Sequence, residues 1–106
     1  MGTLSQKFGL SEENIEMMSA VFRKYPNIKK AIIYGSRAMG NYKPGSDIDL
    51  VIDGVLMNMS ELLSVKEELD ELQLPYKIDL CLMHEIDNEN LVEHITRVGI
   101  EFYLRD

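Results

Sequence analysis

Apolar residues recur along the chain with periods near 3.6 and near 2, a pattern that predicts alternating helices and strands. The first helix is predicted from Ser11 to about Tyr25. Ser11 is a suitable N-cap, and Pro26 ends the helical pattern. The apolar positions at helical spacing are Ile15, Met18, Phe22 and Tyr25.

Two predicted strands follow, separated by a turn that contains glycine. The run KKAIIYG predicts a short buried strand that ends at Gly35, and residues 36–40 predict one short helical turn. Pro44 and Gly45 form a loop before the second strand, which is predicted over residues 47–53.

The segment SELLSVKEELDELQL gives the clearest helical pattern in the chain, and its acidic residues are typical of a solvated face. A third strand is predicted over residues 76–82, a further helix from about Asp87 to Val98, and a last strand over residues 100–104. This alternation predicts an α/β (α+β) fold, in which helices pack on a mixed sheet of about four strands. The apolar stripe of the central helix consists of Leu62, Val65, Leu69 and Leu72.

Chain length, apolar content and net charge limit the class of protein and its partners. A chain of 106 residues fits one domain, which we expect to span residues 1–106. The sequence lacks both an apolar run of about 20 residues and the apolar core of a signal peptide, so we expect a cytoplasmic protein without a membrane segment. The net charge of −7 argues against direct binding of nucleic acid. A nucleotide can still bind if a metal ion neutralises the site.

Cysteine and histidine add little to the candidate chemistry. Cys81 lies in an apolar run with no second thiol in the chain, so it is predicted to be an ordinary core position. His84 and His94 have no cysteine or second histidine at the spacing of metal ligands, so structural or surface roles are predicted for both.

The strand over residues 47–53 carries two carboxylates on one side. Side chains alternate along a strand, so Asp47 and Asp49 project together while Ile48 and Leu50 project to the other side. Two carboxylates near an apolar sheet are unfavourable unless a cation lies between them. Mg²⁺ prefers hard oxygen ligands and commonly shares them with substrate phosphates. The pair therefore indicates a magnesium site.

Asp79 supplies a third carboxylate in a similar apolar frame, and three acids from two adjacent strands would suit a two-metal site. Gly35 allows close approach of a ligand, and the turn that opens at Ser36 can offer amides to phosphate oxygens. Taken alone, Asp-x-Asp also fits an edge strand and Gly-Ser also fits an ordinary turn. Their combination in this order favours a metal and phosphate site.

The segments GSRAMGNYKPGSDIDL and KIDL resemble the minimal nucleotidyltransferases of the DNA polymerase β superfamily. Their pattern is Gly-Ser-x-Ala-x-Gly, then Ser-Asp-x-Asp-Leu, then a third acid, and the resemblance covers essentially the whole chain. It implies the palm-like nucleotidyltransferase fold of polymerase β. It also implies ATP as substrate and two Mg²⁺ ions as cofactors.

The resemblance assigns roles residue by residue. Asp47, Asp49 and Asp79 would be the catalytic acids and metal ligands, and Asp79 would help to activate the acceptor hydroxyl. Gly35 and Ser36 would hold the β and γ phosphates.

Further nucleotide-binding candidates lie in the loop between the two motifs. Family members often have a basic residue at the position of Met39 and an acidic one at that of Gly45, and this chain departs from both. Tyr42 could stack on a base or pack locally, and the basic candidates could instead be solvated loop charges. The candidates are Arg37, Lys43 and Ser46.

In the minimal family the acceptor comes from a separate all-helical HEPN protein encoded nearby. The resemblance therefore implies an antitoxin that transfers AMP to a tyrosine of a HEPN toxin. Two alternatives stay open: a non-catalytic module that restrains a helical partner, and a subunit that modifies a small molecule such as an aminoglycoside. The oligomeric state and the preferred base also stay open.

Overall fold

The computed structural model describes residues 6–105. Residues 1–5 and 106, which the single-domain prediction includes, lie outside the described residues. The elements in chain order are β1 (Gln6–Lys7), β2 (Leu10–Ser11), α1 (Glu12–Arg23), β3 (Lys30–Tyr34), α2 (Ser36–Met39), β4 (Ile48–Asp53), α3 (Met59–Glu71), β5 (Ile78–Leu82), a 3₁₀ turn (Met83–Glu85), α4 (Glu89–Val98) and β6 (Ile100–Leu104).

The predicted order of helices and strands is confirmed. Strands β4 and β5 begin one and two residues later than predicted. The hairpin formed by β1 and β2 was not predicted, because strands of two residues are too short to show a period. No helix among residues 6–105 is long and apolar enough to cross a membrane.

Local capping explains where the three longer helices begin. The Ser11 side chain accepts a hydrogen bond from the amide of Asn14 at 3.1 Å, which confirms the predicted N-cap of α1. Asn58 accepts the amide of Glu61 at the start of α3, and Asn88 caps α4 in the same way. These bonds satisfy helix amides that have no partner within the helix.

The main sheet has four strands in the order β5-β4-β3-β6. Strand β3 is antiparallel to β4 and to β6, whereas β4 and β5 are parallel, so the sheet is mixed as predicted. Helix α3 connects the parallel pair. The two acid-bearing strands are therefore direct neighbours.

The sheet separates two environments. On one face, alternate residues of β4 pack with α1 and α3 in the hydrophobic core, and Ile48, Leu50 and Ile52 are fully buried. On the other face α4 covers part of the sheet, and Ile95 of α4 and Val51 of β4 are also buried. Strand β4 is thus covered on both sides over part of its length.

Glu68 of α3 departs from the predicted solvated face. Its carboxylate accepts hydrogen bonds from the Tyr25 hydroxyl and from Lys24 Nζ, the latter at 2.8 Å. The bond to Glu68 raises the pKa of Tyr25 to about 12. Glu68 therefore joins α3 to the end of α1.

Arg105 joins the C-terminal end of the described chain to the end of α1 and the segment that follows it. Its backbone amide donates to the carbonyl of Lys29 at 2.9 Å, and its guanidinium donates to carbonyls at and beyond the end of α1. The last carbonyls of a helix have no partner within it, so this guanidinium acts as a cap. The side-chain acceptors are the carbonyls of Phe22, Arg23, Tyr25 and Ile28, at 3.3, 3.0, 2.8 and 2.9 Å.

Candidate active site

Gly35 forms the sharp turn between β3 and α2. Its φ of +73° is a conformation that residues with a side chain rarely adopt. A Cβ atom at this position would also overlap the Asp49 carboxylate. The backbone angle therefore requires glycine, and a side chain at this position would also have to displace the Asp49 carboxylate. Ser36 begins α2 directly after this turn.

Three acidic residues lie near this turn on two adjacent strands. Asp49 of β4 is paired in register with Asp79 of β5 on one side and with Tyr34 of β3 on the other. Residues paired in register project to the same face of a sheet. Asp47 immediately precedes β4, two residues before Asp49. Asp49 is half-buried, whereas Asp47 and Asp79 are exposed.

The acids influence one another electrostatically. Burial raises the pKa of Asp49, and the negative charges of Asp79 and Asp47 raise it further, while His94 acts in the opposite direction. Each effect that raises this pKa makes the ionised carboxylate less favourable. A bound cation would remove this unfavourable interaction.

The donor set suits a divalent cation, although residues 6–105 contain no group of three His, Cys, Asp or Glu side chains already arranged around a metal position. Like charges without a counterion favour separated side chains. Carboxylate oxygens in register on two strands are the hard ligands that Mg²⁺ prefers. Binding of Mg²⁺ by Asp47, Asp49 and Asp79 stays a prediction, which this register supports.

Tyr34, Cys81 and His94 lie near Asp49. The Tyr34 hydroxyl lies 3.9 Å from Cys81 Sγ, and burial raises the pKa of both groups. The His94 ring meets the Tyr34 ring edge-on, with 6.1 Å between centroids. Cys81 is half-buried on the same face of the sheet as Asp49 and is not part of the hydrophobic core cluster. The prediction of an ordinary core position was therefore wrong.

His94 and Tyr34 were not predicted as site residues. Tyr34 could have been found from the sequence, because it ends the strand next to Gly35. His94 could not, because nothing in its local pattern indicates which part of the sheet α4 covers. His84 lies exposed in the 3₁₀ turn after β5, 3.8 Å from Glu85, in agreement with a surface role.

The structure assigns Arg37 a role other than the predicted phosphate contact. Its side chain is buried, with 2% exposure, and donates to the carbonyls of Phe8, Pro44 and Ser46. A guanidinium with these partners has no exposed face for a triphosphate. Arg37 is also not the solvated loop charge of the alternative interpretation.

The remaining loop candidates take part in local contacts. The amide of Lys43 donates to Ser46 Oγ at 2.8 Å, and the amide of Ser46 donates to the carbonyl of Lys43 at 2.9 Å. The ring of Tyr42 lies 5.1 Å from the Arg37 guanidinium, which favours the local-packing interpretation of this tyrosine. The Lys43 side chain is exposed, and nucleotide binding by Lys43 stays a prediction.

Comparison with protein families gives one match over most of the chain. The model described as "Polymerase beta, Nucleotidyltransferase" matches residues 16–106. A search of curated protein sequences gave no significant match.

Solved structures with the same fold include toxin–antitoxin complexes. A toxin–antitoxin structure with AMP-PNP matches with a TM-score of 0.69 at 18% identity, over 88% of this chain and 75% of that chain. A tri-AMPylated Shewanella oneidensis HEPN toxin in complex with MNT antitoxin gives 0.64 at 15%, over 89% and 72%. A Sulfolobus solfataricus protein assigned to the nucleotidyltransferases gives 0.53 at 21%, over 98% and 94%. At these identities the likeness shows the fold alone.

Proposed function

Since the chain belongs to the polymerase β nucleotidyltransferase family, we propose that it transfers AMP from ATP to a hydroxyl acceptor. The observation that carries this proposal is the register of Asp49 with Asp79, beside a turn where only glycine fits. Carboxylates in register on a half-buried face are unfavourable unless they bind a ligand such as a cation.

Each site residue has a part in this proposed reaction. Asp47, Asp49 and Asp79 would hold Mg²⁺, which when bound neutralises the triphosphate and the charge that develops during transfer. The Gly35–Ser36 turn offers backbone amides to the β and γ phosphates. The acceptor oxygen forms a bond to the α-phosphorus as the bond to pyrophosphate breaks.

The proton of the acceptor hydroxyl also needs a destination. Asp79 is exposed, whereas Asp49 is half-buried. In our proposal an acceptor that approaches from solvent gives its hydroxyl proton to the exposed Asp79 carboxylate. Positioning and charge stabilisation supply the rate enhancement, with no covalent intermediate on the protein.

We propose that the acceptor is a tyrosine of a helical HEPN protein and that the chain acts as its antitoxin in the cytoplasm. Support comes from the structural likeness to MNT antitoxin in complex with AMPylated HEPN toxin.

Co-expression with the helical protein encoded nearby tests this proposal. We expect ATP labelled at the α-phosphate to label the partner, and the intact mass of the partner to increase by one or more AMP units. Asp47→Asn should abolish the label, because it removes a charge at nearly constant volume. Asp70→Asn, on the exposed surface of α3, is the matched control and should label as the wild type does.

Other outcomes identify the alternative functions. A stable complex without label would indicate a module that restrains its partner by contact. Label on an added aminoglycoside, but not on the partner, would indicate a small-molecule acceptor. Asp79→Asn should retain nucleotide binding and lose transfer, whereas equal loss of both would make Asp79 chiefly a metal ligand.

A further inference from the structure

We infer that Arg37 is a positioning residue, which holds the loop of residues 41–47 so that Asp47 enters the site in a fixed place. The inference rests on the proposed function for its effect on catalysis. Its structural part, the order of the loop, can be tested separately. Arg37 itself does not face the triphosphate, because its side chain is buried.

Hydrogen bonds from Arg37 hold the end of this loop. Its Nε and Nη2 atoms both donate to the carbonyl of Ser46, at 3.1 and 2.9 Å, and Nη2 also donates to the carbonyl of Pro44 at 3.3 Å. Ser46 is the residue directly before Asp47. Two donors on one carbonyl fix both the position and the orientation of that peptide group.

Two aromatic rings lie close to the guanidinium of Arg37. The ring centroid of Tyr42 lies 5.1 Å from Arg37 Cζ, and that of Tyr76 lies 4.8 Å away. Both distances are within the range of a cation–π interaction. Tyr76 lies in the segment that leads into β5, which carries Asp79. Arg37 therefore contacts the segments that directly precede both acid-bearing strands, β4 and β5.

The β1–β2 hairpin also contacts the guanidinium of Arg37. Arg37 Nη1 donates to the carbonyl of Phe8 in the hairpin turn at 2.8 Å. Gly9 follows with a φ of +74°, and a Cβ atom there would overlap the Tyr42 ring and lie 2.8 Å from Arg37 Nη1. The hairpin turn thus needs glycine in order to lie this close to the guanidinium.

Lysine cannot reproduce these contacts. An ammonium group lacks the planar fork that reaches several carbonyls at once, and it cannot stack on an aromatic ring as a planar guanidinium can. The backbone carbonyls of Phe8, Pro44 and Ser46, which accept hydrogen bonds from Arg37, would lose these donors. Arg37→Lys should therefore loosen the loop while it preserves the charge.

Arg105 offers a matched control. Its guanidinium also donates to several backbone carbonyls, but at the end of α1. Leu104, the neighbour of Arg105, pairs with Lys30 at the start of β3, whereas Gly35 follows the other end of that strand. Arg105→Lys should lower stability without an effect on the site. Comparison of the two variants therefore separates stability from positioning.

The experiment measures transfer to the helical partner and hydrogen exchange at a temperature where all variants are folded. For Arg37→Lys we expect kcat to fall about 100-fold, with a smaller change in KM for ATP. The amides of Lys43 and Ser46, which are bonded within the loop, should exchange faster. Arg105→Lys should keep wild-type kcat and wild-type exchange at both amides.

The inference is overturned if Arg37→Lys matches Arg105→Lys both in kcat and in exchange at Lys43 and Ser46. If the wild type transfers nothing, the proposed function fails, and the exchange measurement still decides whether Arg37 orders the loop. If Arg37→Lys does not fold, Tyr76→Leu removes one stacked ring and retains the guanidinium. It should give faster exchange at Ser46, and unchanged exchange would overturn the inference.

Discussion

The two faces of strand β4 have different compositions and different consequences. On the face toward α1 and α3, Leu50 and its alternate neighbours are fully buried among apolar side chains. On the opposite face, Asp49 lies half-buried beside Tyr34 and Asp79. Residues 49 and 50 are adjacent in the chain, yet one belongs to the candidate site and the other to the core. A strand with period two therefore places core residues and candidate site residues at alternate positions.

Asp49→Asn, on the site face of β4, should give the largest effect, a loss of AMP transfer. Loss of the central carboxylate should lower AMP transfer by about 1,000-fold, or roughly 4 kcal/mol in activation free energy. Labelling of the partner by α-labelled ATP measures the effect. Asp53→Asn, at the other end of the same strand, should transfer at the wild-type rate. Equal activity of the two variants would contradict the site assignment.

On the core face, Leu50→Ala should lower the free energy of unfolding by about 3 kcal/mol, because it leaves a cavity under α1 and α3. Urea denaturation measures this loss. Leu63→Ala removes a side chain that is 55% exposed and should change stability by less than about 0.5 kcal/mol. A similar cost for both variants would contradict the core described here.

Gly35→Ala tests the turn between β3 and α2. Strain at the positive φ and overlap with Asp49 should together lower stability by about 2 kcal/mol and weaken AMP-PNP binding. Thermal denaturation with and without AMP-PNP measures both effects. Gly45→Ala is the control, because a Cβ there meets no atom within 4 Å. If the alanine variants behave alike, Gly35 is an ordinary turn residue.

The smallest effect concerns pH. Because the pKa of Asp49 is raised in the folded protein, the folded state binds this proton more tightly than the unfolded state does. Ionised Asp49 therefore lowers stability at neutral pH, and this cost disappears as the pH falls below the unfolded pKa. Asp49→Asn should be more stable than the wild type at pH 7, by less than about 1 kcal/mol after solvent screening.

Thermal unfolding across pH 4–7 measures the stability difference between the wild type and Asp49→Asn. The difference should shrink as the pH falls. Added Mg²⁺ should stabilise the wild type more than the Asn variant, because the cation favours the ionised carboxylate. A constant difference across this pH range would show that the charge of Asp49 does not cause it.

Local signals account for the elements that were predicted from the sequence. Ser11 caps α1 through a bond to a residue three positions away, and Ile48 and Leu50 are buried as their spacing predicts. The pairing of Asp49 with Asp79 was also accessible, because both acids sit in similar apolar runs. These features depend on side-chain period and short-range hydrogen bonds.

Features that depend on distant parts of the chain were not predicted. Arg37 was interpreted as a phosphate ligand or a loop charge, and its burial depends on Phe8 and Tyr76, each about 30 to 40 positions away. His94 lies beside Tyr34 only because α4 crosses that face of the sheet. The local pattern of a single sequence does not show which distant residues will be in contact.

The contacts of Arg105 affect when the protein can fold during its synthesis. Residues 22–28 emerge from the ribosome long before residue 105, which supplies donors to their carbonyls. Until then the end of α1 lacks the donors of Arg105, and β3 lacks β6 as its outer neighbour. We therefore expect this part of the nascent chain to gain its native packing only after β6 has left the exit tunnel.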